Sequence, residues 1–502
     1  MKQWLDRITG KFTMYRTVLI LLLVVTANGL ALSFAGVIFY KPLELLVSGA
    51  VAVGVTMGAS TLMALAFRTK PHLESSAITG LLLFIILLPS LELKYLAPLA
   101  LAGVVASVSK YLLAWRGRHI FNPAAIGALV VTLPSLTFGV WWVGAPLMLP
   151  IVAISAFVVL YRTRRIEMGA IFLVVALAVY AVRWTMTGQG AFEGIQTGLL
   201  SSFFVFFAGF MLSEPLTMPP LKKEQLGYAV TIALLSSLSF NIGPVHSSPQ
   251  LALVVGNIIA FFFGQRRGIK LTLVEKKQLT PTTWEFTFSP AHPVRFTPGQ
   301  YMELTVPHKG TDLKGVRRVF SISSAPGVDA PLTFALKFEG ETVSSFKRAL
   351  LDLAPGSAVR GTLVAGDFML PTSLETPILL VAGGIGITPF ASQVAHDHVN
   401  GVNRDVVVAY AVSDPAELAY SDLLKKSGAR VIITAPTKPA RLPKGWIYAG
   451  TRLTSEVIEQ YVPDVATRRA YISGPPSLVN ALRVTLRKLG SRRITTDYFS
   501  GY

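Results

Sequence analysis

The sequence predicts a polytopic α-helical membrane domain, followed by an antiparallel β-barrel and an α/β domain with a parallel sheet. Long apolar runs fill the first half, apolar and polar residues then alternate, and a buried strand with a glycine turn begins near Pro377. A mean hydropathy of +0.54, with 52% hydrophobic and 15% charged residues among 502, is too apolar for a soluble protein. The expected parts are a cytoplasmic N-terminal segment (1–16), a membrane domain (17–265), a barrel (268–372) and an α/β domain (375–502).

The membrane domain is predicted to contain about ten helices. The apolar runs cover residues 17–40, 43–67, 78–91, 95–115, 122–138, 141–161, 168–184, 196–213, 225–241 and 250–264. Thr79-Gly80-Leu81-Leu82 opens the third run and Thr197-Gly198-Leu199-Leu200 opens the eighth, five runs later. This spacing indicates a 5+5 inverted repeat with interrupted helices. The alternative is coincidence, since Leu-rich helices produce such four-residue matches easily.

Charge places the chain in the membrane with a defined orientation. The net charge is +19, and much of the excess lies in alternate loops, for instance at Arg68, Arg118, Arg162, Arg164, Lys222 and Lys223. The opposite loops hold only Lys41, Lys94 and Arg183. Because cytoplasmic loops are rich in Lys and Arg, both termini and the soluble half are expected in the cytoplasm, with a multi-pass domain in the inner membrane. The partner is therefore the lipid bilayer and not nucleic acid.

Residue types narrow the redox chemistry. The absence of cysteine excludes disulfides and thiolate-bound iron–sulfur clusters. None of the seven histidines lies at the centre of an apolar run, so no residue is proposed as a metal ligand. The electron carriers are therefore expected to be organic.

The barrel carries four motifs in order: Pro298-Gly299-Gln300-Tyr301, Arg318-Val319-Phe320-Ser321, Val343-Ser344-Ser345-Phe346 and Gly361 to Phe368. They resemble the flavin domain of the ferredoxin-NADP reductase family, which implies FAD. Arg318 then offers a forked cation to the pyrophosphate, Phe320 an aromatic surface, and Ser344 with Ser345 a helix N-terminus that faces phosphate. The candidate FAD-binding residues are Tyr301, Arg318, Val319, Phe320, Ser321, Ser323, Val343, Ser344 and Ser345.

Two strand–turn segments predict the nicotinamide site. Ile378 to Ala382 is a buried parallel strand, and Gly383, Gly384 and Gly386 allow a ligand close to the backbone before Thr388 and Pro389. The second segment, Tyr471-Ile472-Ser473-Gly474-Pro475, resembles the Cys-Gly-Pro segment of the same reductase family, with Ser473 replacing cysteine. In that family a C-terminal aromatic residue shields the flavin, a role for Phe499 or Tyr502. The candidate catalytic residues are Ser321, Thr388, Ser473 and Phe499.

The sequence favours NADH over NADPH. NADPH-selective relatives have an arginine after the next strand, whereas this chain has Val412-Ser413-Asp414-Pro415 there. The carboxylate of Asp414 would repel a 2'-phosphate. Arg404, Lys425 and Lys426 leave NADPH open as an alternative.

The membrane half resembles the multi-helix, FMN-carrying membrane proteins of two redox complexes, the Na+-translocating NADH:quinone reductase and the Rnf complex. The resemblance rests on Ser76-Ala77-Ile78-Thr79-Gly80, Phe121-Asn122-Pro123-Ala124-Ala125 and Ser213-Glu214-Pro215-Leu216-Thr217. Those relatives carry FMN on the threonine of a Ser-Gly-Ala-Thr motif, which is missing from the corresponding loop around Thr137. A covalent flavin is therefore not expected, and a noncovalent flavin or a quinone is the candidate cofactor of this half.

Together these features predict a membrane-bound flavoenzyme. It takes hydride from NAD(P)H to FAD and passes electrons through the helices to an extracytoplasmic flavoprotein or to another membrane acceptor. A quinone reductase without transmembrane transfer is one alternative. A flavin or small-molecule transporter with a fused reductase is another, and an inert helical anchor is a third, which polar and Pro-interrupted segments in the bilayer disfavour.

Overall fold

The computed structural model of the protein describes residues 12–69, 71–115, 118–243, 245–263, 268–312, 315–328, 330–339 and 343–498. The chain forms two compact units that divide between residues 267 and 268. The first unit is helical, and the second combines an antiparallel and a parallel β-sheet.

The helical unit contains eleven helices among the described residues. They are α1 Met14–Phe34, α2 Pro42–Ala66, α3 Leu73–Ile86, α4 Leu93–Leu112, α5 Pro123–Thr132, α6 Leu149–Thr163, α7 Ile166–Met186, α8 Ala191–Leu200, α9 Phe204–Met211, α10 Lys222–Ser237 and α11 Pro249–Phe261. Two short hairpins join neighbouring helices, β1 Ala114–Trp115 with β2 Arg118–His119 and β3 Asn241–Ile242 with β4 Val245–His246.

The lengths of the helices indicate a multi-pass membrane unit, but with fewer full spans than the ten predicted from the sequence. Among the described residues, five helices are long and apolar enough to cross a membrane: α1, α2, α4, α7 and Pro146–Thr163, which includes α6. Helices α8 and α9 form a sixth candidate if the pair, bent by 57°, is one broken span. Helices α3, α5 and α11 are apolar but shorter.

The short helices have a local cause. The apolar run 78–91 leaves the helix at Leu87, where the backbone becomes extended and pairs with Gly139. Leu88 N–H then donates to the Phe138 carbonyl at 3.1 Å. Two segments that are apolar enough for helices thus satisfy each other's backbone groups in extended form. Composition alone does not distinguish such a segment from the end of a helix.

Asn257 connects three parts of the helical unit. Its buried side chain accepts a hydrogen bond of 2.8 Å from Asn122 N–H at the start of α5. Its amide donates to the Thr217 carbonyl at 3.1 Å and to the Tyr228 hydroxyl oxygen at 3.0 Å. Asn122 itself caps α5 by accepting from Ala125 N–H at 3.1 Å. The Asn-Pro break is therefore part of a buried polar network.

The second unit begins with a half-barrel of six antiparallel strands. These are β5 Ile269–Gln278, β6 Thr283–Pro290, β7 Tyr301–Thr305, β8 Arg317–Ser321, β9 Leu332–Lys337 and β10 Ala358–Ala365, in the order β8-β7-β10-β5-β6-β9. Alternating side chains such as Leu271, Leu273, Phe286 and Phe288 point into its core. Helix α12 Ser345–Asp352 precedes β10 and packs Phe346 and Leu350 on the same core.

A six-stranded parallel sheet completes this unit. Its strands are β11 Ile378–Gly383, β12 Val406–Ala411, β13 Arg430–Thr434, β14 Ile447–Tyr448, β15 Arg469–Gly474 and β16 Ile494–Tyr498, in the order β14-β13-β12-β11-β15-β16. The helices are α13 Thr388–Val399, α14 Ser421–Lys426, α15 Ser455–Tyr461 and α16 Pro476–Lys488. Every residue of β11 is buried, as expected for a central strand covered on both faces. Ligands of such sheets bind at the carboxyl ends of the strands.

Candidate functional site

Arg318 lies in β8 with its guanidinium over the Phe346 ring, and only 3% of its side chain is exposed. Nη2 donates to both carboxylate oxygens of Asp312, at 2.9 and 3.1 Å. Nη1 donates to the carbonyls of Gly315 at 2.9 Å and of Arg317 at 2.8 Å. The arginine predicted to meet the FAD pyrophosphate therefore holds a carboxylate of its own chain, a partner that the sequence analysis missed.

The N-terminus of α12 lies beside this pair. Ser344 caps the helix by accepting a hydrogen bond of 3.3 Å from Lys347 N–H. The Ser345 hydroxyl accepts a hydrogen bond of 2.9 Å from Asp312 N–H and lies 3.0 Å from His308 Nε2. Asp312 thus contacts both groups predicted to bind phosphate, through its carboxylate and through its backbone.

The other predicted flavin contacts cluster on β7, β8 and the segments next to them. The Phe320 ring is half-buried, with its centre 5.6 Å from that of Phe346. Ser321 is buried and pairs with Tyr301 across β7 and β8. Ser323 is also buried, and its hydroxyl shares a hydrogen bond of 2.7 Å with Thr333. Val319 is exposed, and Val343, just before α12, is half-buried.

These groups fit a flavin with a phosphate. An arginine, a helix N-terminus and an aromatic ring surround one position, and these are the group types that bind a phosphate and an isoalloxazine. The fit has one condition, because Asp312 has to release the Arg318 fork before a phosphate takes it. The individual roles of the predicted residues stay predictions.

The two predicted glycine turns pack against each other at the carboxyl edge of the parallel sheet. A Cβ on Gly386 would collide with the Ser473 carbonyl, and one on Gly383 with the Leu478 side chain. Gly474 has φ +153°, and a Cβ on it would lie 3.1 Å from the Gly383 Cα. Glycine is therefore required here by close approach of the two backbones, in addition to any role in admitting a dinucleotide.

Thr388 and Ser473 are both buried at this edge. The Thr388 hydroxyl donates to the Ile385 carbonyl at 3.1 Å, and Pro389 follows it in the first turn of α13. The Ser473 hydroxyl has no hydrogen-bond partner within the described parts of the chain, and Ser473 itself pairs with Asp497 of β16. Phe499 and Tyr502, the predicted flavin-shielding residues, lie outside the described residues.

A small cleft lies between the half-barrel and the parallel sheet. Lys337 and Thr283 line it from the barrel, and Gly384, Ser413 and Glu417 line it from the sheet. It lies at the carboxyl ends of β11 and β12, where a dinucleotide is expected. The cleft thus joins the predicted glycine turn to the barrel.

Glu417 ties the two halves of the reductase unit together beside this cleft. Its Oε2 accepts hydrogen bonds of 2.7 Å from the hydroxyls of Thr280 and Thr282, and its Oε1 accepts one of 3.1 Å from Thr282 N–H. Burial opposes ionisation, but these hydrogen bonds outweigh it and hold the pKa of Glu417 below its usual range. No local sequence signal marks this tie, because its partners lie more than 130 residues apart.

A second tie lies nearby. The Tyr420 hydroxyl donates a hydrogen bond of 2.7 Å to Glu285 of β6. Burial raises the pKa of Glu285, although the hydrogen bond from Tyr420 opposes this shift. Burial and the Glu285 carboxylate both raise the pKa of Tyr420. Two carboxylates therefore join barrel and sheet, one with a lowered pKa and the other with a raised pKa.

The residues that bear on nucleotide choice have separate environments. Asp414 is exposed after β12, and its carboxylate accepts a hydrogen bond of 2.8 Å from Ala416 N–H. Arg404 is engaged with Asp397 at 3.2 Å and with the Ser373 carbonyl at 2.8 Å. Lys425 and Lys426 are exposed at the end of α14.

The known proteins to which this chain is similar are oxidoreductases and electron transfer components. Residues 380–483 match the family described as oxidoreductase NAD-binding domain. The chain is 27% identical over 235 residues to the toluate 1,2-dioxygenase electron transfer component of Pseudomonas putida, which covers 45% of this chain and 65% of that protein. It is 27% identical over 222 residues to NADH oxidoreductase HCR of Escherichia coli, covering 44% and 65%. The chain thus spans less than two thirds of either relative.

Two solved structures align with a similar share of this chain. The cytochrome P450 reductase GcoB of Amycolatopsis has 23% identity and a TM-score of 0.40, covering 46% of this chain and 70% of that one. A ferredoxin NADP+ reductase of Neisseria gonorrhoeae with bound FAD and NADP has 20% identity and a TM-score of 0.38, covering 46% and 98%.

The reductase unit is thus similar to NADH oxidoreductases and electron transfer components, and its residues 380–483 match an oxidoreductase NAD-binding domain. It follows a unit in which the described residues include five or six candidate membrane spans.

Proposed function

We propose that this protein is a membrane-bound NADH dehydrogenase of the flavoprotein type, which passes electrons through its helical unit to an extracytoplasmic flavoprotein or to another membrane acceptor. The observation that carries the proposal is the packing of the Gly383–Gly386 turn on Ser473 and Gly474, beside a cleft shared with the barrel. It occurs in a chain that also has five or six candidate spans. The proposed location is the inner membrane, with both termini and the reductase unit in the cytoplasm.

The reductase residues have distinct proposed tasks. FAD, when bound, accepts a hydride and releases electrons one at a time. Arg318 and the α12 N-terminus at Ser345 hold its phosphate, and Phe320 contacts its ring system. The backbone at Gly383, Gly384 and Gly386 admits the dinucleotide. The nicotinamide meets the flavin next to three further residues, Thr388, Ser473 and Phe499. Glu417 keeps barrel and sheet in register, so that the two rings meet at a fixed distance.

NADH is the proposed donor. Asp414 lies at the carboxyl end of β12 and is exposed. A carboxylate there suits a ribose with free hydroxyls and opposes a 2'-phosphate. Arg404 is already engaged with Asp397 and Ser373, which weakens the case for it as a phosphate ligand.

The proposed conduit requires a second redox centre in the helical unit, since about 30 Å of hydrocarbon separates the two membrane faces. A noncovalent flavin or a quinone near the Asn122–Pro123 break is the candidate, in keeping with the resemblance to the FMN-carrying membrane proteins of the two redox complexes. The buried network of Asn257, Asn122, Thr217 and Tyr228 supports this position. Polar groups are costly to place inside a membrane, and those found there commonly belong to a functional site.

Lys110 is a second polar feature of this unit. Its ammonium donates to the Thr79 hydroxyl at 3.0 Å and to the Ser75 hydroxyl at 3.2 Å, joining α4 to α3. A cation held between two helices disfavours an inert anchor. It suits an anionic or polar ligand, such as the proposed second redox centre. A quinone reductase without transmembrane transfer, or a flavin transporter with a fused reductase, stays as an alternative.

Two glycines near the proposed centre pack helices closely. The sequence places the centre between the Thr79-Gly80 and Thr197-Gly198 helices, close to the Asn122-Pro123 break. A Cβ on Gly80 would meet the α2 backbone at Val53, 2.7 Å away, and one on Gly198 would meet Leu177 of α7 at 2.7 Å. Both glycines thus serve close helix packing, and bulky replacements there would disturb the fold.

Cofactor analysis of the purified full-length protein tests the enzyme class. We expect NADH to reduce ferricyanide, FAD to be released on denaturation, and no fluorescence to stay with the chain in a denaturing gel. The Ser-Gly-Ala-Thr motif is absent near Thr137, so no covalent flavin is expected. A covalently retained flavin would contradict this prediction. A purified protein that binds no FAD would refute the proposal.

A further inference from the structure

The loop between β7 and β8 carries Asp312, six residues before Arg318. The Asp312 side chain is 30% exposed, whereas that of Arg318 is 3% exposed. The acid therefore reaches from the surface onto a buried cation. One terminal nitrogen, Nη2, contacts both carboxylate oxygens, and such charge-assisted contacts are also those that arginine makes with phosphates.

The Asp312 carboxylate occupies one terminal nitrogen of Arg318. Nη2 faces both Asp312 oxygens, and Nη1 faces the carbonyls of Gly315 and Arg317. A phosphate that approaches Nη2 from the same side must displace the Asp312 carboxylate.

The backbone of Asp312 lies on the second phosphate-binding group. Its N–H donates to Ser345 at 2.9 Å, and His308 of the same loop lies 3.0 Å from that hydroxyl. The His308 Nδ1 is 2.8 Å from the Val306 carbonyl, which orients the ring. His308 and Asp312 are therefore held across the N-terminus of α12, with the Asp312 carboxylate pointing at Arg318.

We propose that Asp312 sets the affinity and the specificity of the flavin site by competing with flavin phosphate for Arg318. The inference rests on the proposed function, in which FAD binds at Arg318 and Ser345. An aspartate paired with arginine cancels the charge that would attract a phosphate. The competitor penalises phosphorylated flavins alone, because riboflavin has no group that needs the fork.

The test uses full-length protein in detergent, freed of flavin, and compares wild type with D312N. Asparagine keeps the size of the side chain and removes its charge. We expect FAD and FMN to bind D312N about tenfold or more tightly than wild type, because a charge-assisted hydrogen bond is worth roughly 1.5–3 kcal/mol. Riboflavin affinity should stay unchanged. Dissociation constants come from quenching of flavin fluorescence, which requires no turnover.

D352N is the matched control, since Asp352 is an exposed acid at the other end of α12. It should leave all three affinities unchanged. Riboflavin binding also reports whether D312N is folded. In R318A the D312N substitution should lose its effect on FAD, because the group for which the two anions compete is gone.

Three results would overturn the inference. Weaker FAD binding by D312N would make Asp312 a residue that positions Arg318. An equal gain for riboflavin would mean that the substitution opens the loop without involving phosphate. FAD binding that depends on Arg318 but not on Asp312 would refute the competition alone. If neither R318A nor D312N changes FAD affinity, the flavin phosphate lies elsewhere and the site in the proposed function fails as well.

Discussion

The Glu417 carboxylate accepts a hydrogen bond of 2.7 Å from the Thr280 hydroxyl, so that the loop after β12 holds the segment between β5 and β6. Glu417 also lines the cleft between the two sheets. The same carboxylate therefore connects the barrel to the parallel sheet and lies beside the proposed place of hydride transfer. The relative position of the two cofactor-binding domains depends in part on Glu417.

The first prediction concerns acid stability. The pKa of Glu417 is lower in the folded protein than in the unfolded chain, so its contribution is present above the unfolded pKa, about 4.3, and is lost as pH falls through the folded value. We expect E417Q to be less stable than wild type by about 2 kcal/mol at neutral pH. The deficit should shrink on acidification below a pH of about 4.3, as measured by thermal unfolding across pH.

E459Q is the control, because Glu459 is an exposed acid of α15. It should follow wild type at every pH. A deficit of E417Q that is constant from neutral to acid pH would show that the charge of Glu417 plays no part in the tie.

The second prediction concerns Gly386. A methyl group at this position would collide with the Ser473 carbonyl. G386A should therefore separate the two turns, lower the affinity for NADH and slow flavin reduction, while FAD content is retained. The strain expected from such overpacking is about 1–3 kcal/mol. Stopped-flow reduction with NADH measures the effect.

Gly227 offers the comparison, since a Cβ there meets nothing within 4 Å. G227A should reduce flavin at the wild-type rate. Normal NADH kinetics in G386A would mean that the turn has room that the structure does not show.

The glycine turns were predictable because their signal is local. A buried strand followed by Gly383, Gly384 and Gly386 specifies a tight turn within a few residues, and the structure places that turn at the sheet edge. The Asp312–Arg318 pair depends on how a loop folds back over its strand. The Glu417–Thr280 contact joins residues far apart in sequence. Neither leaves a pattern in a single sequence.

The helical unit shows the same limit. Apolar composition located a helix in each run but did not give its length. The run 78–91 ends its helix at Ile86, because Leu87 and Leu88 pair with the segment around Phe138 and Gly139. That pairing depends on a chain segment some fifty residues away, so hydropathy overestimated the number of full spans.

The third prediction tests the flavin phosphate. R318A should weaken the affinity for FAD by roughly 10- to 100-fold, since a charge-assisted hydrogen bond contributes about 1.5–3 kcal/mol. The FAD content of the purified protein should fall accordingly. The flavin-to-protein ratio gives the result. R348A, at an exposed position on α12, should keep its FAD. Equal loss in both variants would reject Arg318 as the specific ligand.

The fourth prediction concerns nucleotide choice. D414N keeps an oxygen that can accept from Ala416 N–H and removes the charge. We expect kcat/KM for NADPH to rise about fivefold relative to NADH, the factor for ~1 kcal/mol of repulsion between two charges about 4 Å apart in water. D422N, an exposed acid on α14, should leave the ratio unchanged. An unchanged ratio in D414N would place the ribose away from Asp414.

The central claim is that electrons cross the membrane through the helical unit. The purified protein is placed in liposomes with ferricyanide sealed inside, and NADH, which does not cross the bilayer, is added outside. We expect the internal ferricyanide to be reduced. We also expect K110M in α4 to abolish this reduction while external ferricyanide is still reduced. K94Q, at the exposed start of the same helix, should behave as wild type.

Oxidation of external NADH by a lipid-soluble quinone, with no reduction of the sealed ferricyanide, would rule out transmembrane electron transfer and select the quinone-reductase alternative.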